Sequence, residues 1–227
     1  MLRRPNQNKK SSKKMTDILF HGDIGWEITS RGFAEEVGAA DQSEPIRLLI
    51  NSGGGLVTDG IAMLSALRRH PAGFVAEIEG FAGSMAAMIA MEADSRTMAE
   101  DAWLMFHRVR GGGGTAPELV EQAKRMEQME ARLVSILSEK LGVDSEEVVS
   151  RLDSEIWLRG DEALAAGLVD ELTPALEIAA HIGRSEFQNP PKGLVKEAVT
   201  SLLLDEDEAE DARVTAQKSL IFAFLRN

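Results

Sequence analysis

Three observations predict an α/β fold with mostly parallel strand pairing. Strand-type and helix-type runs alternate along most of the chain. Pro45 to Ile50 is a near-continuous apolar run, the pattern of a strand buried on both faces. Two strand-type runs break into glycine-bearing turns and reopen as helices, at Gly53-Gly54-Gly55 and at Gly80 to Gly83.

In chain order, residues 1–15 read as a flexible arm made basic by Arg3, Arg4, Lys9, Lys10, Lys13 and Lys14. Asp17 to Phe20 form a short strand, which ends in the turn-rich His21-Gly22-Asp23-Ile24-Gly25. Ser30 caps a helix through Val37. After the strand ending at Ile50 and the turn Asn51 to Gly55, a helix from Asp59 to Arg69 turns Ile61, Leu64 and Leu67 inward. Phe74 to Ile78 is a strand that feeds Phe81-Ala82-Gly83-Ser84 and an Ala/Met-rich helix. Thr97-Met98 and Trp103 to Phe106 are short strands around an acidic turn, and His107 closes the second. Arg108 to Gly114 is a Gly-rich loop of the kind that carries function. Pro117 starts a long helix to about Leu141, with Leu119, Ala123, Met126, Leu133 and Leu137 on one face, and Gly142 ends it. Asp144 caps a helix through Leu152, Asp153 to Leu158 is extended, and Asp161 to Ala166 is a last small helix before the strand after Gly167. From Pro174 the character changes to a Gly/Asn/Pro break and helical stretches around the acidic run Asp205 to Glu208. The expected division is an arm (1–15), one folded domain (16–173) and a helical, acidic extension (174–227).

Composition narrows the chemistry. Cysteine is absent, which excludes disulfides, thiol nucleophiles and cysteine metal sites. His21, His70, His107 and His181 lie far apart without ligand-like spacing, so neither a metal nor another cofactor is expected. A net charge of -12 argues against a dedicated nucleic-acid binder. No apolar run has the length of a membrane span, and no apolar segment follows the basic N-terminus, so a cytoplasmic protein is expected.

Two turns carry the chemistry. Ser84, between Gly83 and an apolar helix, is either an N-cap or a nucleophile on a tight strand-to-helix elbow. The run Gly53-Gly54-Gly55 is either a plain flexible turn or a set of bare N–H groups for an anion. It lacks the G-K-[ST] of a phosphate loop and the spacing of G-x-G-x-x-G.

Taken together and in order, the blocks resemble the proteolytic subunit of the Clp protease, and especially the ClpP-like head-maturation proteases of tailed phages. The matching residues are Ile50 to Gly60, Gly80 to Ala87, Met105-Phe106-His107, and Glu162-Ala163 with Gly167 to Asp170. The resemblance covers about Asp17 to Leu172. It implies a serine endopeptidase of ClpP/crotonase-like fold, a ββα spiral, assembled into homo-oligomeric rings through a handle-type helix that starts at Pro117. It implies Ser84 as nucleophile, His107 as general base, and the N–H groups of Gly54 and Met85 as oxyanion hole. An extended substrate would run beside Gly53, Gly55, Leu56 and Gly111. Counting back from Gly167 places Trp157 on the family's aromatic and Glu155 on its aspartate, with Asp153 as the alternative acid. In an extended segment the two carboxylates share a face.

The sequence departs from the family at Gly53, where proline is usual, and at Arg108-Val109, where Gln-Pro is usual. The N-terminal arm is unlike the axial loops that meet an AAA+ ATPase, which weighs against that partner. The long extension favours a phage enzyme that cuts capsid or scaffold proteins and trims its own tail. The alternatives are a housekeeping Clp subunit working with an ATPase and a crotonase-fold acyl-CoA enzyme.

Overall fold

The computed structural model describes residues 14–111, 114–176, 180–183, 187–191 and 194. Its centre is a seven-stranded sheet built from β1 (Thr16–His21), β2 (Ile46–Ser52), β3 (Phe74–Gly83), β4 (Arg96–Ala99), β5 (Trp103–Phe106), β6 (Ile156–Arg159) and β7 (Glu171–Thr173). The main path runs β1-β2-β3-β4-β7, all parallel. β5 leaves that path, pairing parallel with β3 and antiparallel with β6.

β3 explains the fork. Its first half, Ala76 to Ile78, pairs with β4, whereas its second half, Phe81 to Gly83, pairs with β5. The sheet thus splits just before the Gly83-Ser84 elbow. One strand carries both the core pattern and the turn, which is why β3 extends well beyond the expected end at Ile78.

The helices are α1 (Ser30–Ala39), α2 (Val57–Arg69), α3 (Met85–Met91), α4 (Ala116–Leu141), α5 (Ser145–Asp153) and α6 (Gly160–Ala165). Every residue of α3 is buried, as its Ala/Met composition requires. The main core joins α3 to Phe20 of β1, Leu48 and Ile50 of β2, Ile78 of β3, Leu104 and Phe106 of β5, and Leu133 and Leu137 of α4. A smaller cluster gathers Phe81, Trp103 and Met105 with Ala180 and Leu194, and Trp157, Ile182 and Phe187 pack against it.

Some local expectations change. Thr29, not Ser30, caps α1, accepting from the Gly32 N–H at 3.2 Å. Ile61 is 40% exposed rather than inward, while Leu64 and Leu67 are buried as expected, together with Met63. The stripe on α4 divides along its length: Leu133 and Leu137 are buried, whereas Leu119 is exposed. The Thr115–Glu118 capping box starts α4, and Gly142 ends it in the left-handed region. Asp153 is the last residue of α5 and not part of an extended run. The acidic run and the helical stretches of the extension lie outside the described residues.

Candidate active site

The elbow is strained at Ser84. Ser84 has φ 52° and ψ -118°, and its side chain makes no capping hydrogen bond although it occupies the N-cap position of α3. Its backbone is held from both sides: its N–H donates to the Met105 carbonyl at 2.9 Å, and its carbonyl accepts from Met88 N–H at 3.0 Å. Among the described residues only Ser84 and Glu155 are non-glycine residues with positive φ. Such conformations cost about 1–3 kcal/mol each and persist where the surrounding structure enforces them.

The second glycine turn packs on this elbow. A Cβ on Gly54 would sit 2.7 Å from the Gly83 carbonyl oxygen and 3.0 Å from the Met85 nitrogen. Gly55, at φ 139°, would put a Cβ 2.3 Å from the Ile24 carbonyl oxygen. Glycine is required at both positions by close backbone approach. Met85 opens α3, so its N–H has no carbonyl one turn earlier to bond. The Gly54 N–H donates to Ser52 Oγ at 3.2 Å, and that hydroxyl in turn donates to the Gly22 carbonyl at 2.6 Å. An oxyanion at Gly54 therefore has to displace Ser52.

The register of β5 on β3 sets Gly83 beside Met105, and His107 follows two residues later. His107 Nε2 lies 2.7 Å from Ser84 Oγ. Burial lowers the imidazole pKa below its ordinary value, the charge of Arg110 lowers it further, and the charge of Glu155 opposes both. A neutral imidazole protonated on Nδ1 accepts the Ser84 hydroxyl proton at Nε2. His107 Nδ1 is buried and has no hydrogen-bond partner among the described residues.

The two expected acids part company. Asp153 carries a side chain that is 60% exposed and pairs with Arg108 at 3.2 Å. Glu155, one residue after the Ser154 cap of α5, turns at φ 62° and is buried. The extended reading that put both on one face fails because a helix end and a left-handed residue separate them. Glu155 Oε1 accepts from Arg110 Nη2 at 3.3 Å and Gln188 N–H at 2.8 Å. Its Oε2 accepts from Trp157 Nε1 at 3.1 Å and Asn189 N–H at 3.0 Å.

A cavity of about 260 Å³ opens beside Ser84 and His107, lined by Gly55, Val57, Met88, Val109, Arg110 and Met129 among others. Gly55 is there as expected, while Gly53, Leu56 and Gly111 are not in its lining. Sequence reasoning missed Arg110 and Met129. The position of Arg110 just after His107 was the available signal, whereas Met129 reaches the site from mid-α4 and had none. The segment at 187–189 was missed too, since nothing in its sequence points to Glu155. Among the described residues no cluster of acidic, histidine or cysteine side chains could hold a metal, and no helix is long and apolar enough to cross a membrane.

A sequence model of the Clp protease family matches residues 7–175. The ATP-dependent Clp protease proteolytic subunit 3 of Rhodococcus jostii is 32% identical over 170 residues, covering 72% of this chain and 84% of that protein. Proteolytic subunit 1 of Leifsonia xyli is 32% identical over 145 residues, covering 63% of this chain and 74% of that one. A solved ClpP1 point mutant from Listeria monocytogenes superposes with a TM-score of 0.59 at 23% identity, covering 71% of this chain and 92% of that chain. At that identity the superposition speaks for the fold alone.

Proposed function

The chain belongs to the Clp protease family and has its α/β fold, and from that premise we propose a ClpP-type serine endopeptidase with Ser84 as nucleophile and His107 as general base. The observation that carries the assignment is the 2.7 Å approach of His107 Nε2 to the Oγ of a serine held at φ 52°.

In this reading His107 takes the Ser84 proton as Oγ attacks the peptide carbonyl. The oxyanion is met by the Met85 N–H and by the Gly54 N–H once that leaves Ser52, each such donor being worth about 3–4 kcal/mol of barrier. His107 then passes the proton to the departing amine. Glu155 steadies the imidazolium through its charge, against Arg110. The cavity beside Ser84 receives a side chain of the substrate.

For the physiological role we favour a proteolytic subunit that assembles into homo-oligomeric rings and works with an ATPase. The relatives at 32% identity are named as subunits of ATP-dependent Clp proteases. The head-maturation role expected from the sequence rests on the family resemblance and on the extension over residues 174–227, and neither identifies a capsid or scaffold substrate.

A fluorophosphonate probe tests the chemistry. Labelling should fall on Ser84, and Ser84→Ala should lose peptide hydrolysis by on the order of a thousandfold or more with its thermal unfolding unchanged. Label on another residue, or activity retained in Ser84→Ala, overturns the assignment. Degradation of a folded substrate only with an AAA+ unfoldase and ATP supports the subunit role. Nucleotide-independent cleavage of an assembling scaffold protein would favour head maturation.

A further inference from the structure

The carboxylate of Glu155 has no room for His107. A carboxylate offers about four lone-pair sites, and Arg110, Gln188, Trp157 and Asn189 supply four donors to it. The imidazole nitrogen that a triad acid would serve, His107 Nδ1, is buried without a partner among the described residues. The donor that lacks an acceptor and the acceptor with every site filled belong to neighbouring residues: Phe106 pairs with Ile156 in the antiparallel β5–β6 ladder, and His107 and Glu155 are the next residues along it. Two of the four donors are backbone N–H groups from beyond β7.

Those groups belong to a segment tacked at several points to elements that carry the site. At one end the His181 N–H donates to Asn51 Oδ1 at 2.8 Å, on the strand that leads into the Gly53-Gly54-Gly55 turn. His181 Nε2 lies 3.3 Å from the buried Asp23 carboxylate. Further on, Phe187 stands edge-on to Phe81 and Trp157, with ring centroids 5.6 and 5.2 Å away. Ala180 and Leu194 complete the same apolar cluster.

We propose that the segment carrying residues 180–183 and 187–191 is an autoinhibitory strap that keeps Glu155 from His107, and that its release completes a Ser84–His107–Glu155 triad. Released, Glu155 loses one donor from each of its two oxygens, which frees lone pairs for another. The Nδ1–H of His107, without a partner among the described residues, is the donor next to it across the β5–β6 register. The strapped protein holds a Ser-His dyad. The proposal rests on the serine peptidase reading above.

The test uses the full-length chain. Gln188→Pro with Asn189→Pro deletes both backbone donors, and Phe187→Ala separately removes the aromatic anchor. Each should raise the rate of fluorophosphonate labelling at Ser84, and kcat/KM for a short fluorogenic peptide, by about tenfold or more. Adding Glu155→Gln should abolish that gain, which separates triad completion from simple opening of the cavity. Folded variants that label Ser84 at the wild-type rate or slower overturn the strap and leave the peptidase reading standing. No labelling of Ser84 in any form, wild type included, overturns both. A measurement on the wild-type protein guards against variants that fail to fold. A far-downfield His107 Nδ1–H proton resonance, lost in Glu155→Gln, would mean the acid is already engaged and would overturn the proposal. Its absence from the strapped protein is the expected result.

Discussion

The site has two halves that are built differently. Ser84, Gly54, Gly55 and His107 belong to turns that follow β3, β2 and β5, three strands whose register brings them together. Glu155 instead depends on Arg110, on Trp157, and on a segment that follows the last strand. In the first half each residue is held by its own strand. In the second a single carboxylate is held by groups distant in the sequence, so its role follows from tertiary contacts more than from its own position.

The comparison breaks first at Gly55. Alanine there meets the Ile24 carbonyl oxygen at 2.3 Å, and the same carbonyl accepts the Leu56 N–H at 2.9 Å. Backbone cannot yield as a side chain does. Gly55→Ala should therefore cost about 2–4 kcal/mol of stability and, by moving the neighbouring Gly54, lower kcat about a hundredfold. Calorimetry and peptide hydrolysis check both. A stable, active variant would mean that this turn is looser than its geometry.

The same contrast explains what could be read from sequence. The glycine turns were legible because each answers a local demand, positive φ or close backbone approach. The roles given to Ser84 and His107 came instead from the family resemblance, since an elbow serine reads locally as an N-cap as well as a nucleophile. The parallel sheet was legible from apolar runs such as Pro45 to Ile50. Strand and helix limits moved mainly where tertiary pairing extended an element, as in β3 through Gly83. The choice between Glu155 and Asp153 was not legible. It turns on where α5 ends and on the left-handed backbone of Glu155, neither of which a carboxylate in a sequence announces. The filling of Glu155 by residues 188 and 189 left no local signal at all.

Glu155→Gln sharpens the second half. A glutamine offers one oxygen in place of two and turns its NH2 toward groups that are themselves donors. The change should cost about 2 kcal/mol, a fall of about 4–8 °C in Tm for a chain of this size, with more rapid proteolytic nicking around residues 180–191. Peptide hydrolysis should fall by less than about tenfold, far below the effect of losing a bonded triad acid. A loss of several orders of magnitude with unchanged Tm would put Glu155 on His107 already.

Arg110 touches both halves and separates them by pH. Burial and the charge of Arg110 both lower the His107 pKa, so the neutral, base-competent imidazole persists below the ordinary histidine range. The acid limb of kcat/KM should lie there. Removing the cation in Arg110→Gln takes away one depressing influence, so the limb should move to higher pH, with the plateau rate little changed. A limb that stays put, or moves down, would show that His107 does not sense Arg110.

The smallest effect belongs to Asp153, and it tests the division at its edge. Its alignment offset and carboxylate made it the alternative acid. Its backbone, however, closes α5, and its side chain turns to Arg108 on the surface, where Glu130 also holds that arginine. An exposed pair of this kind contributes below about 1 kcal/mol, and Arg108 keeps Glu130 when Asp153 is neutralised. Asp153→Asn should thus leave kcat/KM within about twofold of wild type and its pH profile unshifted, because its exposed carboxylate is paired with Arg108 and screened by solvent. The pH profile is the decisive readout. A lower rate with an unmoved acid limb would point to a disturbed α5. A lower rate with the limb displaced would make Asp153 the group that serves the histidine, and the contrast drawn between the two halves would then be wrong at Glu155.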